Sequence, residues 1–121
     1  VEFPGPLFWE EKLKRYHQAD LFLFPSEHEG FVLVVLEAMA AGLPLLVPRA
    51  LGFPEAVEDG RNGLLADSGT VDDWVRKSEK LLFDEKVNQA MRKRSRDLAV
   101  EKFSWEECAK KNVGVYRQLL G

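Results

Sequence analysis

Two glutamates, Glu29 and Glu37, lie eight residues apart with a glycine and an apolar run between them. Residues 26–44 read SEHEGFVLVVLEAMAAGLP, a pattern typical of a loop that leads into a helix. The start of a helix presents free backbone N–H groups and the positive end of the macrodipole, and both suit a phosphate. Gly30 lets a ligand approach the backbone closely, so the N–H groups of residues 31–33 are candidates for binding a diphosphate.

The two carboxylates need a separate explanation, because a carboxylate beside a phosphate is electrostatically unfavourable. An ionised carboxylate accepts hydrogen bonds from two hydroxyls at once, so a sugar or a ribose provides one explanation. The alternative is that Glu29 caps the helix and that Glu37 is a surface residue. Glu37 favours the first interpretation, because it interrupts an otherwise apolar helix face where a charge is costly without a partner.

The elements that must position these residues follow from the hydrophobic pattern. Short apolar runs alternate with amphipathic helical stretches, which is typical of α/β proteins with a parallel sheet. The predicted strands, about four in number, are Val1–Phe3, Leu21–Phe24, Pro44–Val47 and Gly63–Ala66.

Local signals also predict where the helices begin and end. Gly42 can end the helix that follows the two glutamates. Thr70 and Asp84 are candidate N-caps for the next two helices, and Ser104 with Glu107 forms a capping box for the last one.

Four further side chains are predicted to belong to the core. Trp9, Trp74 and Trp105 lie on apolar helix faces, so we expect core packing rather than platforms for sugar stacking. The lone cysteine, Cys108, falls among apolar helical positions and is predicted to be a small core residue. A single thiol forms no internal disulfide, which fits a reducing, cytosolic compartment.

Length and charge exclude several classes of protein. The 121 residues suffice for one domain, residues 1–121. The net charge of −3 argues against a nucleic-acid partner, and the basic run Arg92–Arg96 is predicted to be a solvated helix face. The longest apolar stretch, Phe31–Ala41, is interrupted by Glu37 and is too short for a transmembrane segment.

The segment around the two glutamates resembles the E-x7-E motif of retaining family-4 (group 1) glycosyltransferases, with EGF and LEAMA around Glu29 and Glu37. The similarity continues through ADLFLFPS, AAGLPLLV, GFPEAVEDGRNGLL and FSWEECAKKNVGVYRQLL, and so covers essentially the whole chain. The resemblance implies a GT-B enzyme. This chain would be the C-terminal half of its Rossmann-like nucleotide-sugar-binding domain.

The resemblance also implies a role for each matching residue. Glu29 would contact the transferred sugar as the catalytic residue, and Glu37 would accept hydrogen bonds from the ribose hydroxyls. The other donor-binding residues would be Gly30, Phe31, Val32 and Leu33 at the phosphates and Pro6 and Leu7 near the base. The donor would be a UDP- or GDP-sugar, and the family needs no metal or other cofactor.

The parent enzyme implied by the resemblance transfers a hexosyl group to a glycan or lipid-linked acceptor, which an N-terminal domain missing here would bind. We expect it in the cytoplasm, or peripherally at the inner membrane face, and we expect the isolated chain to be inactive. The alternatives are a non-catalytic nucleotide-sugar-binding module and an excised folding unit without activity. Because the upstream strands of such a sheet are missing, we expect Leu21–Phe24 to pair with Val1–Phe3 or to form a dimer through its exposed edge.

Overall fold

A computed structural model of the chain describes residues 1–26, 33–50, 53–67 and 69–121. Within these ranges the elements, in chain order, are α1 (Trp9–Gln18), β1 (Phe22–Leu23), α2 (Leu33–Ala40), β2 (Leu45–Pro48), β3 (Gly63–Ala66), α3 (Val71–Phe83), α4 (Glu85–Phe103) and α5 (Trp105–Leu120). None of the helices in the described ranges is long and apolar enough to cross a membrane.

The three strands form a parallel sheet in the order β1-β2-β3. Phe22 of β1 lies opposite Leu45 of β2, and Leu46 of β2 lies opposite Leu64 of β3. Every residue of β2 and β3 is buried, which explains why these strands are continuous apolar runs rather than alternating ones. The predicted α/β class and its parallel sheet are confirmed.

The predicted first strand, Val1–Phe3, is wrong, and the described part of the chain holds three strands rather than about four. Val1 and Phe3 are exposed, and neither pairs with β1. A strand forms only where a neighbour satisfies its backbone groups. An ion pair of 2.9 Å between Arg15 and Glu2 instead holds this segment against α1.

Helices cover both faces of the sheet, and alternate strand residues face the two layers. On one face α2 and α4 pack against Leu45, Val47 and Leu65. On the other face Leu46 and Leu64 pack in a second cluster that includes side chains of α3. Each fully buried aliphatic side chain contributes about 2 kcal/mol, so this two-layer burial is the main source of stability.

Two positions favour glycine over every other residue, Gly63 because of close packing and Gly42 because of its backbone conformation. At Gly63 an added Cβ would lie 2.5 Å from the carbonyl oxygen of Leu45, so a side chain there would force β3 away from β2. Gly42 ends α2, as predicted, with φ at 73° and its N–H donating to the carbonyl of Met39 at 2.9 Å.

Two of the three predicted N-caps are confirmed, although the Glu107 carboxylate bonds Lys110 and so does not complete the predicted capping box at Ser104. The side chains of Asp84 and Ser104 each accept the backbone N–H three residues further on, at 3.2 Å. Thr70 precedes α3, but its side chain makes no capping bond. The carboxylate of Asp73, in the first turn of α3, instead accepts the backbone N–H of Asp67 at 2.9 Å and ties the preceding loop to the helix.

Helix α4 also holds the turn that precedes β1. The side-chain amide of Asn88 donates to the carbonyl of Asp20 at 3.2 Å. The guanidinium of Arg92 donates to the carbonyl of Ala19 at 3.0 Å and lies 3.3 Å from the Asp20 carboxylate. These contacts fix the entry into β1 from a helix that lies about seventy residues later in the chain.

Three of the four predicted core residues outside the sheet are exposed. Trp9 is 69% exposed and Trp105 is 88% exposed, while Trp74 is partly buried against the cluster under α3. Cys108 is an exposed free thiol. Helix α5 packs along α4 and buries none of its own residues, all of which the structure describes, so its apolar stripe faces outward.

Candidate functional site

The loop and helix start predicted to bind the donor are only partly described. Residues 27–32 lie outside the described ranges, so the roles given to Glu29, Gly30, Phe31 and Val32 stay predictions. Leu33 is the first described residue of α2 and is 61% exposed. Because α2 follows β1, its start belongs to the carboxyl edge of the parallel sheet, where open α/β sheets bind ligands.

Glu37 lies on α2 and is held by two side chains of α1. The Lys12 ammonium donates to Oε1 of Glu37 at 3.0 Å, and the Tyr16 hydroxyl donates to Oε2 at 3.0 Å. The Glu37 side chain remains 38% exposed. The charge that interrupts the apolar helix is therefore paired and still reachable from solvent.

Aromatic packing fixes the two partners of Glu37. The ring of Tyr16 lies 6.1 Å from the ring of Phe22 on β1, centroid to centroid. Burial, followed by the hydrogen bond to Glu37, raises the pKa of the Tyr16 hydroxyl, which therefore stays protonated and donates. The Lys12 ammonium lies 5.6 Å from the ring centroid of Trp9, within reach of a cation–π interaction.

These side chains line a groove of about 560 Å³ between α1 and α2. The groove is lined by Trp9, Lys12, Leu13, Tyr16, His17, Glu37, Ala40, Ala41, Gly42 and Arg96. A mostly apolar wall with a few converging polar groups is typical of a site for an organic ligand that carries hydroxyls.

The two residues predicted near the base, Pro6 and Leu7, lie in the segment before α1. Pro6 is exposed and Leu7 is partly buried. Leu7 lines a separate shallow groove together with Glu11, Lys14, Arg15 and Gln18. The structure thus brings Glu37 together with α1, whereas Leu7 lies in a different groove from Glu37.

Sequence reasoning identified Glu37 but missed Lys12 and Tyr16. The signal for Glu37 was the cost of an unpaired charge in an apolar helix. That cost requires a partner but does not say which element supplies it. Lys12 and Tyr16 are four residues apart and share a face of α1, but the same spacing occurs on any amphipathic helix.

Comparison with known proteins assigns the chain to a family. The model of the family "Glycosyl transferases group 1" matches residues 1–98. Sulfoquinovosyl transferase SQD2 of Arabidopsis thaliana is 38% identical over 112 residues, which are 90% of this chain and 22% of the relative. A D-inositol 3-phosphate glycosyltransferase of Corynebacterium jeikeium is 38% identical over 119 residues, 98% of this chain and 28% of the relative.

Solved structures show the same architecture. Sucrose-phosphate synthase of Thermosynechococcus elongatus superimposes with a TM-score of 0.80 at 30% identity, over 91% of this chain and 28% of that protein. HepE of Anabaena, solved in complex with UDP, superimposes with a TM-score of 0.81 at 23% identity, over 87% of this chain and 29% of that protein. Both alignments cover less than a third of the longer protein. The chain belongs to the group 1 glycosyltransferases and has the fold of part of a GT-B enzyme.

Proposed function

We propose that this chain is the C-terminal half of the donor-binding domain of a retaining glycosyltransferase. The enzyme transfers a hexosyl group from a UDP- or GDP-sugar to a glycan or lipid-linked acceptor, which a separate N-terminal domain binds. The observation that carries the proposal is Glu37, paired but reachable, on the helix that follows β1 in a chain of this family. A carboxylate so presented is suited to accept hydrogen bonds from ribose hydroxyls.

The remaining roles follow the family motif. Glu29 contacts the transferred sugar, the backbone of Gly30, Phe31, Val32 and Leu33 binds the diphosphate, and Pro6 and Leu7 lie near the base. Binding at a helix start stabilises the negative charge that develops on the departing diphosphate, so no metal ion is needed for this role.

The names of the relatives support transfer of a sugar, but they differ in the acceptor and so do not indicate which acceptor this protein uses. Their names cover a sulfoquinovosyl transferase, D-inositol 3-phosphate glycosyltransferases and a sucrose-phosphate synthase. HepE, which shares the fold, has been solved with UDP-glucose. UDP and UDP-glucose are therefore the first donors to test, with the GDP compounds beside them.

The test compares the two glutamates in the full protein that carries this chain. We expect Glu29→Ala to lower kcat more than UDP affinity, because a contact to the reacting sugar strengthens in the transition state. Glu37→Ala should instead weaken UDP binding, and Glu79→Ala, on the exposed surface of α3, is the matched control. Titration calorimetry measures binding, and NMR of the first-formed product reports the anomer.

Three results would contradict the proposal. An inverted anomer would exclude a retaining enzyme. If none of the variants changed the affinity for UDP, the assignment of the donor site would be wrong. Tight binding of UDP-sugars without turnover on any acceptor would instead favour a non-catalytic nucleotide-sugar-binding module.

We also propose that, in the isolated chain, a second copy covers the outer edge of β1. In the described ranges β1 pairs with β2 alone, and Leu23 is 45% exposed. Parallel strands alternate the direction of their backbone groups, so those of Leu23 point away from β2 and need another partner. Size-exclusion chromatography with hydrogen exchange tests this, and a monomer whose Leu23 amide exchanges rapidly would exclude it.

For the cellular location we propose the cytoplasm, at the inner membrane face where the acceptor is lipid-linked. The exposed free thiol of Cys108 supports a reducing compartment, because such a thiol is readily oxidised outside one. Fractionation of cells that express the full protein, with and without a high-salt wash of the membranes, tests both statements. Recovery in an oxidising compartment would contradict the proposal.

A further inference from the structure

Among the described residues, the contacts of the Glu37 carboxylate use about half of its accepting capacity. Lys12 donates to one oxygen and Tyr16 donates to the other, each at 3.0 Å. A carboxylate has about four lone-pair positions, two on each oxygen. The described contacts therefore leave about one position on each oxygen, and the two adjacent hydroxyls of a vicinal diol can donate to these positions.

The donors come from a different element than the carboxylate, and that element is anchored to the sheet. Tyr16 packs on Phe22, whose ring stacks on Phe24 at 6.0 Å, so the hydroxyl that holds Glu37 is fixed against β1. Lys12, one turn earlier on α1, holds the second oxygen. A long side chain fixed at both oxygens loses less conformational freedom when a ligand binds.

The positive charge of Lys12 has a second effect. An uncompensated carboxylate near a diphosphate would repel it, and the repulsion acts over several ångströms. The ammonium at 3.0 Å from Glu37 offsets that negative charge without occupying both oxygens. The carboxylate thereby keeps its ability to accept hydrogen bonds while its charge is largely neutralised.

We propose that Lys12 and Tyr16 are positioning residues that orient Glu37 toward the vicinal diol of a ribose, so that the site selects ribonucleotides over 2′-deoxyribonucleotides. The inference rests on the donor-binding function proposed above. It adds two residues of α1 to the site and assigns them a measurable effect on nucleotide choice.

The experiment measures Kd for UDP and 2′-deoxy-UDP by titration calorimetry on the full protein and on its Tyr16→Phe, Lys12→Met and Glu37→Ala variants. We expect the parent to prefer UDP about tenfold, the effect of one charge-assisted hydrogen bond. In the two α1 variants the preference should fall to roughly threefold or less. Lys12→Met should in addition weaken both nucleotides, because the charge of Glu37 is then uncompensated near the diphosphate. A merely structural role would weaken both nucleotides equally and leave the ratio unchanged.

Matched controls separate positioning from general damage. Lys86→Met on α4 and Tyr116→Phe on α5 make the same chemical changes at exposed positions, and both should keep the tenfold preference. Lys12→Arg retains the charge and should restore most of the preference lost in Lys12→Met. Thermal unfolding identifies a variant that fails to fold. If either Tyr16→Phe or Lys12→Met fails to fold, the Kd ratio of the other variant tests the proposal.

The outcomes distinguish the two proposals. If Glu37→Ala abolishes the preference while Tyr16→Phe and Lys12→Met retain it, the positioning role is wrong and the donor site stands. If Glu37→Ala binds both nucleotides as the parent does, the ribose role of Glu37 fails, and the proposed donor site fails with it.

Discussion

Two polar side chains, Asn62 and Glu37, each make two described side-chain hydrogen bonds but differ in their exposure to solvent. Asn62 is fully buried. Its Oδ1 accepts the N–H of Glu58 at 2.8 Å, and its Nδ2 donates to the carbonyl of Ala56 at 3.0 Å. Glu37 is half-buried, and its two bonds to described residues leave accepting capacity on both oxygens.

The difference distinguishes a framework residue, which stabilises the fold, from a site residue, which is available to a ligand. The amide of Asn62 bonds Glu58 and Ala56 in the loop before β3 and is fully buried, so a ligand in solution does not reach it. Glu37 is held from one side and open on the other. A polar group contributes mainly to stability when it is buried and bonded inside the protein, and it is available for binding when it stays reachable from solvent.

Asn62→Ala should have the largest effect. The substitution empties a fully buried position and leaves the part-buried N–H of Glu58 and carbonyl of Ala56 without their described partner, so we expect a loss of about 3 kcal/mol in the free energy of unfolding. Asn112→Ala on the exposed surface of α5 is the control and should change it by less than about 0.5 kcal/mol. Urea unfolding measures both, and equal effects would undo the contrast between framework and surface.

In contrast to Asn62→Ala, Glu37→Ala should weaken nucleotide binding more than it lowers the free energy of unfolding. We expect a loss of about 2 kcal/mol in UDP binding, or about thirtyfold in Kd, for a charge-assisted pair of hydrogen bonds. The free energy of unfolding should change by less than about 1 kcal/mol, because the ion pair between Lys12 and Glu37 is partly exposed to solvent. A stability loss as large as that of Asn62→Ala, with UDP binding intact, would make Glu37 a framework residue.

Asp73 is a further framework residue, and its contribution to stability should depend on pH. Hydrogen bonds from Lys77, from the backbone N–H of Asp67 and from Arg76 lower the pKa of the Asp73 carboxyl below its ordinary value. Its unfolded pKa is about 4, so ionised Asp73 contributes stability above that pH and the contribution is lost as the pH falls through the folded value.

The test is Asp73→Asn, which should be less stable than the parent at neutral pH. Urea unfolding between neutral pH and about pH 2 should show a steeper loss of stability in the parent than in the variant. Asp72→Asn, at the exposed neighbouring position, is the control and should follow the parent. Parallel curves for the parent and Asp73→Asn would show that Asp73 is not a framework group.

Cys108→Ser should have the smallest effect. The thiol is exposed, so we expect a change of less than about 0.5 kcal/mol in the free energy of unfolding, measured by urea. A loss above 1 kcal/mol would mean that the Cys108 side chain is buried in solution and that the outward face of α5 is covered. The original prediction of a core cysteine would then be correct.

The accuracy of the sequence predictions depended on how local their signals were. Gly42, Asp84 and Ser104 act within one turn of their own helix, and each ends or begins a helix as predicted. The buried strands β2 and β3 were also predictable, because a short apolar run must be enclosed on both faces.

The errors arose where an outcome depends on a distant partner. An apolar segment such as Val1–Phe3 becomes a strand only beside another strand, and an apolar helix face such as that of Trp105 becomes core only under another layer. The pairing of Glu37 with α1 has the same origin. The sequence predicts that the Glu37 carboxylate needs a partner. Which residues supply that partner depends on how α1 and α2 pack against each other.

The bonds from Asn88 and Arg92 to the turn at Ala19 and Asp20 have a consequence for folding order. They join residues separated by 68 and 73 positions, so this turn is secured only after α4 has been synthesised as far as Arg92. Contacts of such long range are slow to form, because a large loop must close first. On the ribosome, β1 should therefore stay exposed to proteases until Arg92 has emerged, and then become protected together with α4.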